Sequence, residues 1–148
     1  MRAIARAWGG PYHCSRMAAE FIATNKAAAS ARQSSDLVLV DGWGFVAGQQ
    51  AIDLDNDRTP LPEQVEAQTR KVLTNLETIL GAAGLSKDDV VAVRIALVDL
   101  PRLYERMNTA CEGFFHPDRL PARTCTGVSH LPRGALVAMD FIVRAPTH

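Results

Sequence analysis

The sequence predicts a single α+β domain. Three observations carry this: a β-hairpin signal centred on Asp41-Gly42, two segments whose apolar residues recur at helical spacing, and three strand-length runs rich in apolar residues. A chain of 148 residues suits one domain, since folding at this size removes roughly 68–70% of the surface that the unfolded chain exposes.

Residues 1–35 are rich in Ala and Ser and lack a sustained period, apart from a short apolar stretch at Phe21 and Ile22 that predicts an added strand. Met17 opens a stretch that reads like a natural start. Residues 1–16 are therefore expected to be a disordered extension or a misplaced start, and 17–148 the single domain. Leu37–Val40 and Trp43–Ala47 are β-branched, aliphatic or aromatic, and Asp41-Gly42 between them supplies the positive φ that a two-residue hairpin turn requires. Thr59, Pro60 and Pro62 predict a helix start, followed by Val65, Val72, Leu76, Ile79, Leu80 and Ala83 on one face until Gly84. The polar side of that helix, Glu63, Glu66, Arg70, Lys71 and Glu77, reads as solvated surface. Val90–Val98 is apolar except at Arg94, as for a strand covered on both faces.

Pro101 sits in the first turn of a second helix, with Leu103, Met107, Ala110 or Cys111, and Phe114 inward, so that Cys111 reads as core. His116–Ala122 carries two prolines and must be irregular. Arg123–Val128 and Leu136–Val143 are then expected to pair as strands around Pro132-Arg133-Gly134.

Several classes of function are disfavoured by composition and spacing. Lys plus Arg equals Asp plus Glu at 16 each, so no global field recruits polyphosphates, nucleic acid or anionic membranes. The densest basic cluster, Arg119, Arg123 and Arg133, is interrupted by prolines and apolar residues. Cys14, Cys111 and Cys125 are odd in number and irregularly spaced, and no apolar run is long enough for a signal peptide or membrane span, which points to a reducing cytoplasm. His13, His116, His130 and His148 show no pairing with each other or with cysteine at zinc-ligand spacing, so no structural metal is expected. Gly42, Gly44 and Gly48 are followed by no helix, as a dinucleotide loop would demand. Asp53, Asp55 and Asp57 imitate a calcium loop but have Arg58 and Gln64 where glycine and glutamate belong.

The chemistry concentrates near the C-terminus. Arg123 and Cys125 are two apart in a strand and share a face, just after a proline-rich turn. A guanidinium fixed there holds a carboxylate through two parallel hydrogen bonds. A surface or ion-paired arginine is the plain alternative, and the residues alone leave both open. Cys125 has no identifiable activating partner and reads as a small buried residue. Ser129, His130 and Arg133 lie in or near a turn that could line a site.

The run Leu120-Pro-Ala-Arg123-Thr-Cys125-Thr-Gly-Val-Ser-His-Leu-Pro132-Arg-Gly resembles the signature of the reactive-intermediate deaminase family, the Rid or YjgF group, also called the L-PSP endoribonuclease or translation-inhibitor family. Val46-Ala-Gly48-Gln, Gln68-Thr-Arg-Lys-Val-Leu-Thr-Asn-Leu, Ala82-Ala-Gly-Leu and Asp88-Asp-Val-Val extend the likeness from about Phe21 to Val143. The resemblance implies a chorismate-mutase-like subunit, a mixed sheet with two helices on one face, three copies forming a homotrimer around a central barrel with ligand clefts between subunits. It implies cofactor-independent hydrolysis of 2-imino acids and their enamine tautomers, products of pyridoxal-phosphate enzymes, to 2-keto acids and ammonia. Arg123 would clamp the substrate carboxylate, the backbone at Cys125 would meet the imine nitrogen, and Gly48 would line the cleft.

Two departures stand out. The family's water-positioning glutamate aligns with Ala138 and its tyrosine with Ser34, while Gly10-Pro11-Tyr12 lies too far upstream to supply that tyrosine. Asp140 shares a strand face with Ala138 and is a possible substitute. The expected function is a trimer that binds small 2-imino or 2-keto carboxylates with weak or altered deaminase activity. The alternatives are a non-catalytic ligand-binding or regulatory trimer and, behind it, a ribonuclease, which balanced charge and few aromatic residues disfavour.

Overall fold

The computed structural model describes residues 18–24 and 34–146, and the expected extension at 1–16 lies outside the described residues. Six strands, β1 (Glu20–Ile22), β2 (Leu37–Val40), β3 (Trp43–Gln49), β4 (Val90–Val98), β5 (Ala122–Val128) and β6 (Val137–Arg144), form one mixed sheet in the order β1-β2-β3-β6-β4-β5. Helices α1 (Val65–Ala82) and α2 (Leu100–Cys111) lie together on one face of it.

The hairpin forms where the turn chemistry places it. Asp41 and Gly42 have φ of 50° and 77°, the pair of positive values that a type I′ connection needs. Gly44 is needed for a different reason: a Cβ there would meet Val143 Cγ2 at 2.4 Å, so its bareness lets β3 and β6 carry a packed core face. α1 begins at Val65, later than Thr59 and Pro60 suggest. Each proline disfavours helical backbone in the residue before it, so Pro60 and Pro62 work against a helical turn at Thr59 and Leu61 and delay the start.

The apolar periods place the core as read. Val72, Leu76, Ile79 and Leu80 of α1 and Leu103 and Met107 of α2 are buried against Val46, Val93, Ile95, Leu97, Val137, Met139, Phe141 and Val143. Two buried polar side chains pin loops to α1. Asn75 Nδ2 donates to the carbonyls of Gln50 (3.3 Å) and Ile52 (2.8 Å). Gln68 donates to the Pro62 carbonyl (2.7 Å) and accepts from Leu136 N (2.9 Å). Glu66 does more than face water: Arg106 of α2 donates to both its oxygens, at 2.7 and 2.9 Å.

Two expectations need correction. β5 and β6 do not pair; β4 lies between them, parallel to β5 and antiparallel to β6. The α2 crossover returns the chain parallel to β4, as a helical connection allows and a hairpin cannot, which leaves β5 as an edge strand. Secondly, within one chain the described residues cover β4 on one face only: Val93, Ile95 and Leu97 are buried, whereas Arg94 is exposed and Ala92 and Ala96 are half-buried. A row formed by Val38, Phe45, Ile142 and Ala92 crosses this open face.

Candidate active site

Arg123 sits opposite Val93 and Cys125 opposite Ile95, so both side chains stand on the helix-covered side of edge strand β5, sharing a face as the sequence predicts. α2 fixes the guanidinium. Nη2 of Arg123 donates to Asn108 Oδ1 and lies 3.7 Å from Met107 Sδ, and the guanidinium carbon is 6.0 Å from the centre of the Tyr104 ring, at the outer limit of a cation–π contact. Nε and Nη1 have no partner among the described residues. Beneath Arg123 is an apolar cavity of about 230 Å³, lined among others by Leu73, Cys111, Phe115, Leu120 and Phe141.

The two thiols beside it are not poised as nucleophiles. Burial pushes Cys111 and Cys125 above the ordinary thiol range, and the Arg123 charge offsets this only in part. A thiol held protonated at neutral pH is a weak nucleophile. Cys111 is half-buried rather than fully core, as is Cys125.

Gly48, Ala138 and Asp140 are brought together elsewhere. Between the pairs Val46–Phe141 and Gln49–Met139, β3 has two residues, Ala47 and Gly48, where β6 has one, Asp140, a bulge that re-aims the backbone at Ala47 and Gly48. A Cβ on Gly48 would meet nothing within 4 Å. The bulge borders a cavity of about 280 Å³ on the open face, whose lining includes Arg94, Ala96, Thr126, Ala138 and Asp140. Ala138, Ala96 and Thr126 are cross-strand neighbours, as are Asp140, Arg94 and Thr124. Arg94 Nε donates to Asp140 Oδ1 at 2.8 Å, and that bond raises the arginine's already high pKa. Ser34 is exposed ahead of β2 and lines neither cavity.

The site residues thus divide between two faces of one sheet. β3 and β5 are separated by β6 and β4, so Gly48 and Arg123 are about 14 Å apart across three strand spacings, and Ser34 is further still. Within one subunit the sheet itself lies between the Arg123 side chain and Ala138.

Asn108 and Tyr104 escaped the sequence reading. They form, with Cys111, a stripe at i, i+4 and i+7 beside the core stripe of α2, a spacing that marks the residues facing β5. Arg133 closes a loop, since its Nη2 donates to the Asp57 carbonyl. Asp53 is likewise used by its own turn: it accepts from the backbone of Asp55 (2.9 Å), which with Asn56 draws its pKa down. Among the described residues no cluster of His, Cys, Asp and Glu could hold a metal, and no helix is long and apolar enough to cross a membrane.

Comparison with known proteins places these features in one lineage. Residues 24–145 match the family model described as Endoribonuclease L-PSP. A RutC family protein of Pyrococcus abyssi is 36% identical over 126 residues, 85% of this chain and 97% of that protein. A 2-iminobutanoate/2-iminopropanoate deaminase of Salmonella typhimurium is 32% identical over 105 residues, 70% of this chain and 81% of that protein. The crystal structure of E. coli TdcF with bound serine superposes with a TM-score of 0.74 at 25% identity, covering 86% of this chain and 99% of that one. Fold, signature and matches together make this chain a member of the Rid/YjgF (L-PSP) family.

Proposed function

We propose that the protein is a homotrimer that binds small 2-imino or 2-keto carboxylates between subunits and hydrolyses imines or enamines weakly or with altered specificity. The observation that carries this reading is the presentation of Arg123. It stands on an edge strand above an apolar cavity, oriented by Asn108, with Nε and Nη1 left for a ligand. An anchored guanidinium over an apolar pocket suits a carboxylate with a short hydrocarbon tail. The opposite-face placement of Ala138 and Gly48 favours a cleft closed by a second subunit, with the bulged β3 backbone facing the ligand.

The chemistry asked of the site is cofactor-free: hold the carboxylate, polarise the imine carbon and deliver a water. In this reading the first is supplied by Arg123, and the backbone around Cys125 takes the nitrogen, as the family resemblance implies. The third is depleted, because Ala138 carries no carboxylate, and loss of a positioned acid/base group removes about 10²- to 10⁴-fold in rate. That depletion equally favours a second reading, a ligand-binding or regulatory trimer without turnover. RNA cleavage lacks support from charge, which is balanced.

Calorimetry with 2-oxobutanoate on wild type and Arg123→Lys tests the anchor. Lysine cannot reproduce the two-bond geometry, so affinity should fall; equal affinities would make Arg123 a structural residue. Imines generated in situ by an amino-acid oxidase and competed with semicarbazide separate the two readings by whether the protein accelerates their loss.

A further inference from the structure

We infer that Arg94, aligned by Asp140, is a specificity-determining residue that anchors a second anionic group, so that the preferred ligand class is a 2-keto or 2-imino dicarboxylate. This rests on the reading that ligands bind between subunits with one carboxylate on Arg123. Gly48 and Ala138, the positions that reading places against the ligand, share a cavity with Arg94 and Asp140.

The floor of that cavity is made small by Ala96, Thr126 and Ala138, which are direct cross-strand neighbours. Arg94 is two residues from Ala96 on the same strand face, about 6.6 Å along the strand, close enough for its side chain to rim the space those small residues leave. It is the arginine of this open face whose fork is oriented by a carboxylate: Nε is held by Asp140 at 2.8 Å, while Nη1 and Nη2 have no partner among the described residues and the side chain is 73% exposed. An arginine pre-oriented by one carboxylate through Nε still presents two parallel N–H bonds to another. A monocarboxylate with a short alkyl tail leaves this fork unused. A ligand with a second carboxylate four or five carbons along the chain fills the cavity and meets the fork.

The test is isothermal calorimetry of the full chain with two probes, 2-oxobutanoate and 2-oxoglutarate. Wild type should prefer 2-oxoglutarate by about tenfold or more, the scale of one charge-assisted contact. Arg94→Gln should erase the preference, Arg94→Lys should retain part of it, and Arg123→Lys should weaken both probes. Light scattering on each variant ensures that subunit assembly is intact. If wild type binds both probes equally, or if Arg94→Gln keeps the preference, Arg94 and Asp140 are only an ion pair and the inference falls while the carboxylate site stands. If neither probe binds, the carboxylate site falls with it.

Discussion

Arg123 and Ala138 stand on opposite faces of one sheet, Arg123 opposite buried Val93 on the helix side and Ala138 opposite Ala96 on the open side. A site that uses both has to be assembled from two copies, which makes the oligomeric state the first thing to measure. Light scattering at micromolar concentration should give a trimer. Phe45 is 48% exposed in the row that crosses the open face, and Phe45→Asp should dissociate the assembly, because an unpaired carboxylate buried in an interface is costly. A wild-type monomer would remove the cleft.

Asn75→Ala should destabilise the subunit by about 1–3 kcal/mol in urea unfolding, because it orphans the carbonyls of Gln50 and Ile52 that the amide satisfies. The cost comes from buried acceptors, so Asn75→Asp, which reverses donor to acceptor, should be at least as damaging.

The thiols give a pH dependence with a defined sign. Burial raises Cys111 and Cys125 above their ordinary value of 9.0, so the folded chain holds these protons more tightly than the unfolded one. Their contribution to stability is complete below that value and is lost as pH rises above it. Iodoacetamide should therefore modify Cys111 and Cys125, followed by peptide mass mapping, far more slowly in the folded protein at pH 7.5 than in the denatured chain. Arg123→Ala should slow it further, since the guanidinium is what draws both thiols down.

Much of this was legible in the chain. The Asp41-Gly42 turn, the Val90–Val98 strand and the inward faces of both helices follow from period and turn chemistry, and the family signature located Arg123. What stayed hidden depends on which strands become neighbours. Arg123–Val128 and Leu136–Val143 look like a hairpin because local signals cannot register that β4 will pass between them. The same insertion decides that Arg94 meets Asp140 and that Gly48 and Arg123 part company. Buried Gln68 and Asn75 were hidden for a related reason: their partners are loop carbonyls, which no side-chain pattern announces.

Ala138→Glu should raise imine hydrolysis by part of the 10²- to 10⁴-fold that a positioned acid/base group is worth, only part because the new carboxylate lacks a supporting shell. The competition with semicarbazide reads this directly. Wild-type turnover equal to that of a family member carrying the glutamate would show that another group, Asp140 first, positions the water.

The most direct test of the central claim is a crystal structure with a 2-keto acid bound. The ligand carboxylate should lie within hydrogen-bonding distance of Nε or Nη1 of Arg123 at a subunit boundary, with Gly48 and Ala138 contributed from across that boundary. A ligand seated within one subunit away from Arg123, or an empty site at saturating concentration, would contradict it.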